Sequence, residues 1–272
     1  MNNQAVTITV APNGAYKQKS DHPALPVSPL EIAVAAEQAA AAGATMIHAH
    51  ARTAQGKHSL DPEQNCKVWH AIKERVGDDI VVQLTTEAAG IYQPEQQMQL
   101  IRQVKPEAAS FALRELFPDD SSIPTASAFF HWVAEQHIIA QYILYSAEEV
   151  SRYHQLKAAG ILPDTPHHLL FVLGRYHQQQ QSSPEDLAPF IAAHRDETPW
   201  MVCAFGQREH ACASRAMELG GDVRVGFENN LLDNQGQSAA NNAVLVQQVT
   251  AAAANLQRPL LSAQQFRQKF GL

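Results

Sequence analysis

The stretch Asp222-Val223-Arg224-Val225-Gly226-Phe227-Glu228 sorts its side chains by strand alternation. Val223, Val225 and Phe227 fall in one phase and Arg224, Gly226 and Glu228 in the other, so the apolar phase is expected against helices and the polar phase against an interior. Upstream, short runs rich in β-branched residues alternate with longer Ala-rich stretches of helical character, the βαβ rhythm of a parallel sheet. Eight runs read as strands: residues 6–10, 45–50, 80–85, 108–113, 138–145, 168–173, 200–205 and 223–227. Each is followed by a helix-compatible segment, and the starts are spaced by about one βα unit, as a (β/α)8 TIM barrel requires. A doubly wound sheet is the competing architecture. Ser28-Pro29-Leu30-Glu31, Asp61-Pro62-Glu63-Gln64 and Ser146-Ala147-Glu148-Glu149 can each cap first-turn N–H groups and so mark strand-to-helix turns.

At 272 residues the chain is read as one α/β barrel domain over 1–272, with its catalytic face at the C-terminal strand ends. A balance of 20 Lys plus Arg against 27 Asp plus Glu gives a net charge of -7, which leaves no broad basic surface for nucleic-acid phosphates. Hydrophobic residues at 45% and charged residues at 17% place the chain among globular rather than disordered proteins. The first 13 residues lack the basic and apolar regions of a signal peptide, and no apolar run is long enough to span a membrane, so the expected location is cytoplasmic. Cys66, Cys203 and Cys212 form no CxxC pair and read as free thiols, without a disulfide framework. No GxGxxG or P-loop offers a phosphate cradle, and the glutamine run 178–181 reads as a solvated loop after strand six.

Met46-Ile47-His48-Ala49-His50-Ala51-Arg52 places two imidazoles at i and i+2, on one face of a strand, where they can share a metal or simply hydrogen-bond inside a barrel. In a closed barrel, strands two and eight both flank strand one, so Glu228 can reach His48 and His50. Two His and one Glu with an open position suit catalytic zinc, though Fe(II) also takes such a set. A salt bridge from Glu228 to Arg224 or to a neighbouring loop is the structural alternative. Other polar residues gather at the expected strand ends: Asn13 beyond Thr7 and Thr9, Glu87 beyond Gln83 and Thr85, and Arg114 beyond Ser110. Each has a plainer reading, Asn13 in a turn with Gly14, Thr85 as a helix cap and Arg114 paired with Glu115. Gly220-Gly221 is expected to end a helix, His167-His168 to open strand six, and Arg208 and Glu209 to sit in a solvated loop.

The chain resembles the beta-keto acid cleavage enzymes over nearly its full length. The resemblance rests on Asp21-His22-Pro23-Ala24-Leu25-Pro26-Val27-Ser28-Pro29, Ile47-His48-Ala49-His50-Ala51-Arg52, Gln83-Leu84-Thr85-Thr86, Phe171-Val172-Leu173-Gly174, the run 220–230 and Asn242-Ala243-Val244-Leu245-Val246. It implies a zinc-bearing (β/α)8 barrel, usually a homotetramer, that converts a β-keto acid and acetyl-CoA into acetoacetate and a new acyl-CoA. It assigns His48, His50 and Glu228 as zinc ligands, Thr85 to the place of a catalytic Ser, Arg224 to a catalytic Arg and Ser110 to a substrate-contacting Thr. Two positions depart further: Asn229 replaces an Asp that serves as base in the best-known member, and Tyr16 replaces a Glu that binds that member's substrate amine. With an amide at 229, the base is expected to be Glu87, by strand phase, in preference to Glu115. Asn13, Tyr16, Ser110 and Arg114 form the expected substrate-binding set, for a keto acid with a neutral or anionic tail. The rival readings are a metal-dependent hydrolase of the amidohydrolase type, which carries its HxH on strand one and an Asp on strand eight, and a non-catalytic metal-bearing barrel that senses an acyl-CoA.

Overall fold

In the computed structural model, which describes residues 4–176, 179 and 181–272, the described residues form eight parallel strands closed into a barrel. The strands are β1 (Ile8–Val10), β2 (Met46–Ala49), β3 (Val81–Thr85), β4 (Ala108–Ala112), β5 (Ile139–Leu144), β6 (His168–Leu173), β7 (Trp200–Ala204) and β8 (Asp222–Val225). Each pairs with the next in sequence, and β8 returns to β1 with Arg224 opposite Thr9, which excludes the doubly wound sheet. Between strands run α1 (Pro29–Ala41), α2 (Pro62–Val76), α3 (Pro94–Val104), α4 (Leu113–Leu116), α5 (Ile123–Glu135), α6 (Ala147–Ala158), α7 (Ala188–Ala193) and α8 (Glu209–Glu218), with α9 (Asn242–Asn255) and α10 (Ala263–Phe270) after β8. Ser28, Asp61 and Ser146 cap α1, α2 and α6 by accepting backbone N–H bonds, the first within a full capping box.

Several strands are shorter than their apolar runs. β8 stops at Val225 because Gly226 adopts φ +144, and a Cβ there would lie 2.3 Å from the carbonyl oxygen of Ala11. The chain turns at that glycine, and Glu228 therefore sits just past the strand rather than on it. His168 opens β6 and Gly220, at φ +91, follows α8, both as the sequence suggests. Glu209 departs from the sequence reading: it is no loop residue but the first residue of α8, and it is buried. Of the glutamine run, residues 178 and 180 lie outside the described residues, and Gln179 is exposed in a turn.

Strand alternation divides the core in two. Val223, Val225 and Phe227 pack outward with the helices in the main apolar cluster, as their phase demands. Inside the barrel, Ala112, Ile143, Val172, Cys203 and Phe205 form an apolar wall toward the C-terminal strand ends. At the other end Met46, Val81, Ala108 and Ile139 pack against Phe266 and Phe270 of α10. Cys66, Cys203 and Cys212 are all free, and no helix among the described residues is long and apolar enough to cross a membrane.

Candidate active site

β2 delivers His48, His50 follows it by one residue, and the turn at Gly226 brings Glu228 against both. His48 Nε2 is 3.0 Å from His50 Nε2, and Glu228 Oε2 is 3.6 Å and 3.4 Å from these two nitrogens. Bonds of about 2.0–2.2 Å to a tetrahedral zinc separate its donor atoms by about 3.3 Å, so the three atoms already stand at the spacing of a shared ion. Glu228 Oε2 is buried without a hydrogen-bond partner among the described residues, which an ion would relieve. Two of the donors, His48 and Glu228, are also in the right charge states. Burial, reinforced by the Arg224 guanidinium, pushes His48 down to about 3 and leaves its imidazole neutral. Burial alone would raise Glu228, but the Arg224 guanidinium beside it outweighs burial and holds the carboxyl well below the usual range.

The backbone around the triad is braced by side chains. Asn13 donates from Nδ2 to the His50 carbonyl at 2.9 Å and accepts from the His50 N–H at 3.3 Å, so its amide is committed to the chain that carries the ligand. Gly14, at φ +62, lies so close to Glu228 that a Cβ would sit 2.5 Å from the Glu228 Cγ. Lys17 Nζ donates to the Glu228 carbonyl at 2.6 Å. Behind the turn, buried Glu209 accepts from the N–H of Gly226 at 3.1 Å and from Asn230 Nδ2 at 3.3 Å. Burial pushes its carboxyl up to about 8.

A cavity at the C-terminal strand ends is lined by His48, Thr85, Glu87, Arg175, Arg224 and Glu228, with apolar walls from Ile143, Val172 and Phe205. A neighbouring cleft, lined by Asn13, Tyr16 and Lys17, shares Glu87, Arg175 and Glu228 with it. Arg224 Nη2 is 3.3 Å from both Glu228 Oε1 and Cys203 Sγ, while its Nε is buried without a partner among the described residues. The Arg224–Glu228 pair and the triad thus share one carboxylate. Glu87 Oε1 accepts from Arg175 Nη2 at 3.0 Å, and its Oε2 is 3.9 Å from His50 Nδ1. Thr85 Oγ1 accepts the N–H of Glu87 at 3.0 Å, fixing the turn that aims this carboxylate.

Not every expected residue reaches the cavity. Ser110 is buried on β4, opposite Thr85 in register, with its hydroxyl unpartnered among the described residues. Arg114 follows no strand phase, because α4 begins at Leu113. Its guanidinium pairs with Glu149, not Glu115, and lies 4.7 Å and 4.9 Å from the ring centres of Tyr145 and Tyr176. Glu115 accepts from the Ala88 N–H at 3.1 Å and Gln97 Nε2 at 2.6 Å, outside both clefts. Tyr16 is half exposed with its ring 4.9 Å from the Arg175 guanidinium. Asn229 is buried, and neither atom of its amide finds a partner among the described residues. Sequence reading missed Arg175, which stands one residue beyond the Phe171-Val172-Leu173-Gly174 run. Gly174, at φ +77, ends the alternation that would have assigned its direction.

The profile of the family described as beta-keto acid cleavage enzyme matches residues 5–272. The chain is 29% identical over 276 aligned positions to 3-keto-5-aminohexanoate cleavage enzyme of Fusobacterium nucleatum subsp. nucleatum, covering 99% of this chain and 98% of that one. It is 28% identical to 3-oxoadipate:acetyl-CoA acetyltransferase of Cupriavidus necator, covering 99% of this chain and 95% of the other. Among solved structures, apo ObcA superposes with a TM-score of 0.73 at 15% identity, over 92% of this chain and 66% of that one, a likeness of fold. The chain belongs to the beta-keto acid cleavage enzyme family.

Proposed function

We propose that this chain cleaves a β-keto acid with acetyl-CoA as co-substrate, giving acetoacetate and a new acyl-CoA, in a site that holds zinc on His48, His50 and Glu228. The observation that carries this reading is that the triad opens, through His48 and Glu228, on the cavity lined by Glu87, Arg175 and Arg224. Relatives named for acetyl-CoA transfer on 3-oxoadipate and for cleavage of 3-keto-5-aminohexanoate support the reaction type. Zinc bound there supplies Lewis acidity to the keto and carboxylate oxygens of the substrate.

The chain's own residues perform the proton and charge transfers. Glu87 takes a proton from C2, the carbon between the two carbonyl groups, and Thr85 keeps that carboxylate aimed by accepting its backbone N–H. C2 then attacks the thioester carbonyl of acetyl-CoA and expels CoA thiolate, while Arg224 donates to the oxygen on which negative charge develops. The thiolate attacks the original keto carbon, the bond from that carbon to C2 breaks, and Glu87 returns the proton to C2 of the departing acetoacetate. The buried amide of Asn229 cannot accept that proton.

The tail of the keto acid is read by Arg175 and Tyr16. A guanidinium and a phenol favour a neutral or anionic tail, and of the two carboxylates in that cleft Arg175 already pairs Glu87 and the triad and Arg224 already engage Glu228, which leaves an ammonium no free counter-ion there. The active form is a homotetramer in the cytoplasm, which light scattering of the purified chain tests for its assembly. A panel of β-keto acids incubated with acetyl-CoA tests the activity, with acyl-CoA formation as the readout. Acidic and neutral tails are expected to outrun 3-keto-5-aminohexanoate, and the reverse order would refute the assignment of the tail.

A further inference from the structure

Buried polar side chains continue from the metal-type triad through the barrel interior. His48 Nδ1 is 2.7 Å from Gln83 Oε1, Gln83 Nε2 is 3.3 Å from Gln141 Oε1, and Gln141 Nε2 is 3.0 Å from His168 Nδ1. His168 Nε2 then faces Asp222 Oδ2 at 3.4 Å, outside hydrogen-bonding geometry but within ion-pair distance. All five side chains are buried, so water does not break the sequence of contacts.

The chain has a direction, because an amide oxygen only accepts and an amide NH2 only donates. As observed, Gln83 Oε1 requires a proton on His48 Nδ1, and Gln141 Nε2 requires a lone pair on His168 Nδ1. His48 is then left with its lone pair on Nε2, facing His50 and Glu228, and His168 with its proton on Nε2, facing Asp222. Turning both amides over reverses every assignment. His48 would carry its proton on Nε2, where it could donate to Glu228, whereas in the state as observed its Nε2 lone pair can accept from an Nε2–H of His50 at 3.0 Å, so the triad accommodates either state. The far end does reject it. There the lone pair of His168 Nε2 would meet the Asp222 carboxylate, whose other oxygen already accepts the Thr7 N–H at 2.7 Å, and a buried clash of two acceptors is costly.

We propose that Asp222 and His168 are positioning residues that act through Gln141 and Gln83 to hold His48 as its Nδ1–H tautomer, with the Nε2 lone pair presented to the metal. The consequence for metal rests on the function proposed above, whereas the tautomer itself does not. Asp222→Asn tests it with little change of shape: Oδ1 can still accept from Thr7, while the NH2 now facing His168 Nε2 demands a lone pair there. Long-range nitrogen–proton NMR of the full, metal-free chain labelled with 15N-histidine reports which ring nitrogen is protonated. Expected are Nδ1–H on His48 and Nε2–H on His168 in the parent, both inverted in Asp222→Asn. Competition with a chromophoric chelator should show zinc affinity falling about ten- to hundredfold in the variant. A parent with Nε2–H on His48 overturns the proposal without need of any variant, and so does an Asp222→Asn protein that keeps both parental tautomers, whatever its zinc affinity. Retention of zinc by a His48→Ala, His50→Ala protein would refute the metal reading instead and leave the tautomer result standing.

Discussion

Glu87 and Glu115 are the same side chain in different surroundings, and their surroundings decide which can move a proton. Glu87 opens onto the cavity between Arg175 and His50, whereas Glu115 is tied to the Ala88 N–H and Gln97, where burial raises its pKa. Glu87→Gln is expected to slow exchange of the substrate's C2 protons into deuterated water by about 10²–10⁴, the usual span for general base catalysis. Glu115→Gln should leave exchange near the parental rate. The opposite pattern would move the base to Glu115. His48→Ala with His50→Ala is expected to abolish zinc binding, measured as metal per chain after chelation and reloading, since it removes two of the three donors. Full occupancy in that protein would mean the ion lies elsewhere. His48 and His50 are legible from their i, i+2 spacing, and Glu87 and Glu228 from the adjacent strand ends they follow, although a turn at Gly226 rather than strand phase carries Glu228 to the triad. Arg175 is not legible, since a glycine at positive φ separates it from β6.

At the level of elements, the segment after β8 depends on a carboxyl group that looks solvated in the sequence. Glu209 opens α8 and reaches Gly226 and Asn230, 17 and 21 residues away, so it holds both sides of the turn that presents Glu228. No local pattern announces such a contact, and a charged residue after a strand is ordinarily exposed. Arg114 departs from its expected place for a related reason: strand alternation ends at Ala112, and α4 begins at the next residue. The burial of Glu209 makes stability depend on pH. Unfolded, it titrates near the ordinary 4.5, while folded it keeps its proton up to about 8. Between these values the folded state holds one more proton, so its contribution falls as pH rises, by about 1.4 kcal/mol per pH unit. Denaturant titrations across that window should show this slope, and Glu209→Gln should flatten it. An equal slope in the variant would assign the pH dependence to other groups.

Across the whole molecule, the barrel is readable from eight periodic runs, but its closure at the N-terminal strand ends is not. The sequence pattern yields βα units, and α10 is not part of one: it follows α9 and seals the interior from below. Ser262 starts it with a capping box, and Arg267 fastens it by pairing with Glu107 at 2.7 Å and donating to the carbonyls of Asp78 and Ile80. Phe266 and Phe270 then cover Met46, Val81, Ala108 and Ile139. The ring of Phe266 also lies 5.8 Å from that of His168, so the plug shields the far end of the polar chain from water. Because Phe266 is fully buried, its truncation both removes apolar burial and leaves a void inside a closed barrel that has little room to collapse. Phe266→Ala is therefore expected to cost about 3–5 kcal/mol of stability, measured by denaturant unfolding. The zinc-to-chain ratio should be unchanged, since the triad lies at the opposite strand ends. A loss below about 0.5 kcal/mol, the scale of a surface substitution, would mean that α10 is not what closes the barrel.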